Sequence, residues 1–319
     1  MEQEFVPTEN RGVKLGMKPS DFMAGVNSGV PYFVRIESGN WNDPETLPTY
    51  ETQWGSPGGD KMNCVTQSGD NTMESQLMFD RKHNTQGMTD RHWQWLKDNG
   101  FLDENGKPNI NDRVCAILNG TTHDGNWLYK AADSWRGDGI FPESLLPSDE
   151  SLSWDEYYNR VLVTPEIIRI GQESKNYFEI RTEFIPATKE SLLHHLKQAP
   201  IQVVFPNHAV SCIRCPADVE FLDTYNPFIK TIPLQYLQAA MKILITPKEL
   251  TMNITVKKCV INGTVFGALI DTPNGVQIIK ATDEAMWRSW NKADSYGLST
   301  VNNDGSTNWD QDSAVKITI

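Results

Sequence analysis

The stretch QWGSPGGDKMNCVTQSGDNTMESQLMF, residues 53–79, decides how this chain is read. It opens as a glycine-rich loop. At Asn63-Cys64 it changes into a segment with apolar residues at Val65, Met73, Leu77 and Met78, the spacing of a helix. Cys64 therefore stands at a helix N-terminus, where unsatisfied N–H groups and the positive end of the macrodipole favour negative charge. Such a position lowers a thiol pKa to about 3.5–7.5 and supplies thiolate at neutral pH. Gln53, at the head of the loop, carries a side-chain amide that can donate to an oxyanion beside the Cys64 backbone N–H. The plain alternative is a loop residue.

A sulfur nucleophile needs a base. IQVVFPNHAV, residues 201–210, is an apolar strand that ends at Pro206-Asn207 and delivers His208. Histidine takes and returns a proton near pH 7. Downstream, FLDTYN, residues 221–226, is a strand end with two groups that could orient the imidazole, Asp223 and Asn226. Their separation from His208 suits a strand, a turn and a returning strand. Without a catalytic role, Asp223 and Asn226 read as turn residues.

Gln53, Cys64, His208, then Asp223 or Asn226 is the order found in the papain-like (C1-type) cysteine peptidases, which this chain resembles. The separation of Cys64 and His208 is also of that family's size. Gly139-Ile140-Phe141-Pro142-Glu143 with Leu146-Pro147, and Pro200-Ile201-Gln202-Val203-Val204 before the histidine, look like family features. The cysteine segment, with Cys64, Val65, Thr66, Ser68, Asn71 and Glu74, is similar to divergent members from phages and uncultured bacteria. In those relatives the third residue sits in an Asp-Ser-Tyr-like segment, matched here by Asp223-Thr224-Tyr225 and favouring Asp223. The chain departs from standard members in three places. Cys64 lacks the Cys-Gly-Ser-Cys-Trp setting, Gln53 lies farther upstream, and the Asn-Ser-Trp motif is absent. The resemblance covers about residues 30–245. It implies hydrolysis of a peptide or amide bond through a Cys64 acyl-enzyme, with His208 as base, Asp223 orienting it and Gln53 as oxyanion donor. A link to a phage particle follows from the same likeness, as peptidoglycan stem-peptide cleavage or virion protein processing, with phage structural proteins as partners. The rival is a scaffold whose catalysis has decayed and which serves as a structural or binding protein.

Composition narrows the remaining classes. The chain has 319 residues with a net charge of -12, and its basic residues are scattered, so no phosphate-neutralising face and no nucleic-acid partner is expected. No apolar run reaches the roughly 18 residues of a membrane span. The opening MEQEFVPTENRGVKLG has no signal-peptide pattern. The location is left open, and a virion or a host cytoplasm is what the phage likeness implies. Five cysteines, Cys64, Cys115, Cys212, Cys215 and Cys259, form no disulfide framework. Cys212 and Cys215 make a lone CxxC without a second zinc pair and read as small buried residues. His194-His195 read as solvated surface, and His83, His92 and His123 as structural. No metal or cofactor is expected.

Helices are expected at Cys64 to Phe79, Asp90 to Asn99, Asn126 to Arg136, in SLSWDEYYNRVL (residues 151–162) with Ser153 as N-cap, and in KESLLHHLKQ (residues 189–198). YFVRI, residues 32–36, reads as a strand. Helices first and strands later predicts an α+β fold, a helical half and an antiparallel β half. From about Thr246 the character changes. TMNITVKKCVI and TVFGALI flank Asn262-Gly263, a hairpin signal. VQIIKA follows as a strand, then a helix near Asp283 to Lys292 and a last strand near AVKITI. The expected organisation is an extension at 1–30, a peptidase-like domain at 31–245 and a small β-rich module at 246–319.

Overall fold

The structure is a computed structural model that describes residues 32–149 and 151–249 together with the strand segments 13–14, 251–261, 264–272, 275–279, 298–300 and 314–318. Its contacts divide the chain into two units, Met1–Lys248 and Glu249–Ile319.

In the first unit α1, Cys64–His83, is central and buried along most of its length although it is rich in polar residues. Several of those side chains are satisfied locally. Ser68, Thr72 and Ser75 return their hydroxyls to the carbonyls of Cys64, Ser68 and Asn71 at 2.6, 2.9 and 2.9 Å. Other polar groups bind the helix to a sheet. Gln202 Nε2 donates to the Val65 carbonyl at 2.6 Å, Thr72 and Ser211 share a hydroxyl hydrogen bond of 2.9 Å, and Gln76 Nε2 donates to the Ile243 carbonyl at 2.9 Å. Towards the helical half Gly69 lies under Trp135, so close that a Cβ would stand 2.0 Å from the ring. That closeness needs a residue without a side chain.

The helical half comprises α2 (Asp90–Asp98), α3 (Asp112–Asn119), α4 (Leu128–Asp138) and α5 (Pro165–Tyr177), with α6 (Lys189–Leu196) following later in the chain. The sequence reading did not foresee α3 or α5, yet both carry start signals. Asn111 caps the Val114 N–H at 2.6 Å, and Thr164 caps Ile167 with Pro165 as the first helical residue. The helix expected across residues 151–162 covers only Trp154–Tyr157. Arg113 takes the carbonyls of Glu156 and Tyr157, both at 2.8 Å, which the next turn would have used. YFVRI is not a strand. Its backbone is anchored by Arg35 and Ile36 N–H groups on the Lys197 carbonyl, and the buried Arg35 guanidinium pairs with Asp80.

Six antiparallel strands form the β half: β1 (Phe178–Ile185), β2 (Ile201–Phe205), β3 (His208–Arg214), β4 (Val219–Leu222), β5 (Ile229–Ile232) and β6 (Ala239–Pro247), in the order β1-β6-β2-β3-β4-β5. β2 is apolar apart from Gln202, and all five of its residues are buried. Val204 joins the core shared with α1, whereas Ile201, Val203 and Phe205 join a second core with Leu192, Leu196 and Phe221. The fold is α+β, helices beside a large antiparallel sheet. β6 runs to Pro247, so the unit ends a few residues beyond the expected 245.

In the second unit β7 (Thr251–Ile261) pairs antiparallel with β8 (Thr264–Thr272), which pairs with β9 (Gly275–Ile279). β10 (Leu298–Thr300) and β11 (Ala314–Thr318) pair with β7. The helix expected near 283–292, the Asn262-Gly263 turn and most of the 1–30 extension lie outside the described residues. Among the described residues no helix is long and apolar enough to cross a membrane.

Candidate active site

Cys64 is the first residue of α1. Asn63 holds the N-cap position without capping. Its amide turns away to Asp112 at 2.7 Å and Tyr157 Oη at 3.2 Å. The helix start is thus left to the sulfur. Burial pushes the Cys64 thiol well up, hydrogen bonding from the Ala209 and Val65 backbone acts in the opposite sense, and the charges of Asp60 and Asp223 raise it further. Burial thus works against the lowered thiol pKa expected from helix placement alone.

The contact with Ala209 places the start of β3 against the sulfur. β2 and β3 are joined by Pro206-Asn207, with Asn207 at φ 63° and Phe205 opposite His208. Asparagine tolerates that left-handed conformation. His208 is fully enclosed, and its Nε2 lies 2.6 Å from Asp223 Oδ1. Asp223 follows β4, which returns beside β3 with Ser211 opposite Leu222. Its Oδ1 also accepts the Thr224 N–H at 2.7 Å, and its Oδ2 accepts Lys230 Nζ at 2.6 Å. Burial raises the Asp223 carboxyl, but His208 and Lys230 outweigh it and hold the group below the ordinary carboxylate range. Asp223 is therefore ionised at neutral pH. Asn226, the alternative third residue, precedes Pro227 in the turn beyond.

Gln53 reaches the same region although it lies eleven residues before Cys64. The intervening chain loops out as a hairpin, with Trp54 paired to Asp60 and Gly55 to Gly59, and Lys61 N–H closes on the Gln53 carbonyl at 2.9 Å. Gln53 is buried. Its Nε2 donates to Asp60 Oδ1 at 2.8 Å and to the Tyr225 hydroxyl, while its Oε1 accepts Thr224 Oγ1 at 3.1 Å. Tyr225 in turn donates to Asp60 Oδ2 and packs against His208 with ring centroids 5.4 Å apart. The four sequence-derived residues thus fall in one region. Asp60, Tyr225 and Lys230 join them without having been singled out. Their signal, a carboxylate, a phenol and an ammonium in unrelated segments, exists only in three dimensions.

The segment after α4 encloses the thiol. Tyr158 Oη donates to the Lys61 carbonyl at 2.6 Å, and Lys61 Nζ binds the carbonyls of Gly58 and Leu152. Cys115, Cys212 and Cys215 are buried and form no disulfide. Among the described residues no group of His, Cys, Asp or Glu could hold a metal ion.

No family model and no curated protein matches the chain. Among solved structures, xylellain, a cysteine protease from Xylella fastidiosa, is similar with a TM-score of 0.40 and 10% identity, over 77% of this chain and 94% of that chain. Procathepsin B S9 from Trypanosoma congolense is similar with a TM-score of 0.38 and 8% identity, over 78% of this chain and 87% of that chain.

Proposed function

We propose that this protein is a papain-like cysteine hydrolase that cleaves a peptide or amide bond through a Cys64 acyl-enzyme. One observation carries the reading: a helix-opening cysteine lies against the residue that follows His208, and His208 is held at 2.6 Å by a buried, ionised Asp223. With Nε2 on Asp223, Nδ1 is the nitrogen that exchanges protons with Cys64. The proton of Cys64 passes to His208 as sulfur bonds to the carbonyl carbon. The imidazolium that forms is stabilised by Asp223. His208 then protonates the leaving amine as the C–N bond breaks. Water loses a proton to His208, its oxygen bonds to the acyl carbon, and the thioester breaks with the proton returned to sulfur. Gln53 supplies an N–H to the oxyanion.

Digestion of a broad fluorogenic peptide library tests this. The parent cleaves a subset of peptides and Cys64→Ala cleaves none, while its circular dichroism matches the parent. Equal cleavage by both proteins defeats the mechanism. A second reading, a binding scaffold with a silent thiol, is favoured by the enclosure of Cys64. It requires that the parent cleave no library peptide and that iodoacetamide leave Cys64 unlabelled.

A further inference from the structure

Asp60 is a puzzle beside a sulfur nucleophile. A carboxylate within electrostatic reach of the thiol opposes its ionisation. Yet its two oxygens are built into the site. Oδ1 accepts Gln53 Nε2 at 2.8 Å and the Met62 N–H at 2.7 Å, and Oδ2 accepts the Tyr225 hydroxyl. The same hydroxyl accepts from Gln53 Nε2, and Thr224 holds the other end of the amide. This network fixes which end of Gln53 is the donor and brackets that donor between the chain entering Cys64 and the ring beside His208. The charged and titratable groups facing the sulfur are Asp60 from the hairpin, His208 with Asp223 and Lys230 behind it from β3 and the β4–β5 segment, and Tyr158 from the covering segment.

We propose that Asp60 and Tyr225 are positioning residues, a carboxylate–phenol pair that aims the Gln53 amide at the oxyanion formed on Cys64. The inference rests on the reading of Cys64 as an acylated nucleophile. On attack, the oxyanion shares the Gln53 N–H that the Tyr225 oxygen orients, while Asp60 holds the other. Asp60 thus serves the transition state although its charge disfavours the free thiolate.

Two reactions at Cys64 separate these effects: acylation by p-nitrophenyl acetate, which develops an oxyanion, and alkylation by iodoacetamide, which does not. Tyr225→Phe is expected to acylate at least about 10-fold more slowly, approaching the ~10²-fold loss expected of Gln53→Ala. Its alkylation pH profile stays that of the parent because no charge has changed. Asp60→Asn acylates more slowly yet alkylates faster, with the inflection of its profile at lower pH. A residue that merely held the loop would not move the two reactions in opposite directions. The inference is overturned if Tyr225→Phe and Asp60→Asn acylate at the parent rate, if Gln53→Ala does, or if Asp60→Asn changes both reactions in the same sense. Release of nitrophenol by Cys64→Ala at the parent rate instead overturns the underlying assignment of the nucleophile.

Discussion

Asp223 shows how much one carboxylate decides in this site. It is buried and accepts hydrogen bonds from a ring nitrogen, a backbone amide and the Lys230 ammonium. Its proposed function is to favour the imidazolium, and that depends on acceptance from Nε2 as well as on charge. Asp223→Ala removes both and is expected to lower kcat about 10²-fold, the low end of what general acid–base groups contribute. Asp223→Asn keeps an acceptor oxygen and loses less. Steady-state kinetics on a cleaved library peptide compares the two, and equal losses would rule out the acceptor role. At this scale the sequence was informative where chemistry demands an unusual residue in a set place. A cysteine opening a helix, a histidine ending a turn and an aspartate on the returning strand could all be read. Lys230 and Tyr225 could not, because neither residue type is distinctive and Tyr225 meets Gln53 across 172 positions of sequence.

Between the elements of the helical half lies a cluster of carboxyls, with Asp70 and Glu74 on α1, Asp112 on α3 and Glu143 in the loop after α4. Burial raises Asp70 and Glu74 well above the ordinary range, and neighbouring carboxylates raise them further. Burial likewise pushes Glu143 up to about 10, with Asp112 and Glu51 adding to it. The folded protein therefore holds a proton on Glu143 that the unfolded chain releases near pH 4.5. Stability from this source is complete below that pH and is lost progressively as pH rises towards 10. Urea unfolding at pH 6, 7.5 and 9 is expected to show falling midpoints, and Glu143→Gln to flatten the fall. Midpoints unchanged from pH 6 to 9 would contradict the protonated cluster. None of this was legible in the sequence, where Glu74 stands out only as part of the cysteine segment and nothing marks Asp70, Asp112 or Glu143 as buried together. The hidden helices α3 and α5 are the same lesson. Their caps, Asn111 and Thr164, are present, but polar residues on their buried sides mask the periodicity.

Across the whole molecule the order of elements carried the reading. Helices before strands gave an α+β fold, and β2 read as an apolar strand from Ile201, Val203, Val204 and Phe205. Irregular backbone was harder. YFVRI has strand composition, but the buried Arg35–Asp80 pair, at 2.7 Å, fixes that segment through a side chain instead of a ladder. The enclosure of Cys64 was likewise invisible, since it arises where the segment after α4 meets the loop entering α1. That enclosure makes chemical capture of the nucleophile the sharpest question. Acid-quenched mass spectrometry after reaction with a p-nitrophenyl ester answers it. The parent is expected to carry one acyl group, on the peptide containing Cys64, and His208→Ala to carry little or none at the same time point. Acyl groups spread over other residues, or equal labelling of Cys64 in His208→Ala, would contradict a nucleophile activated by His208.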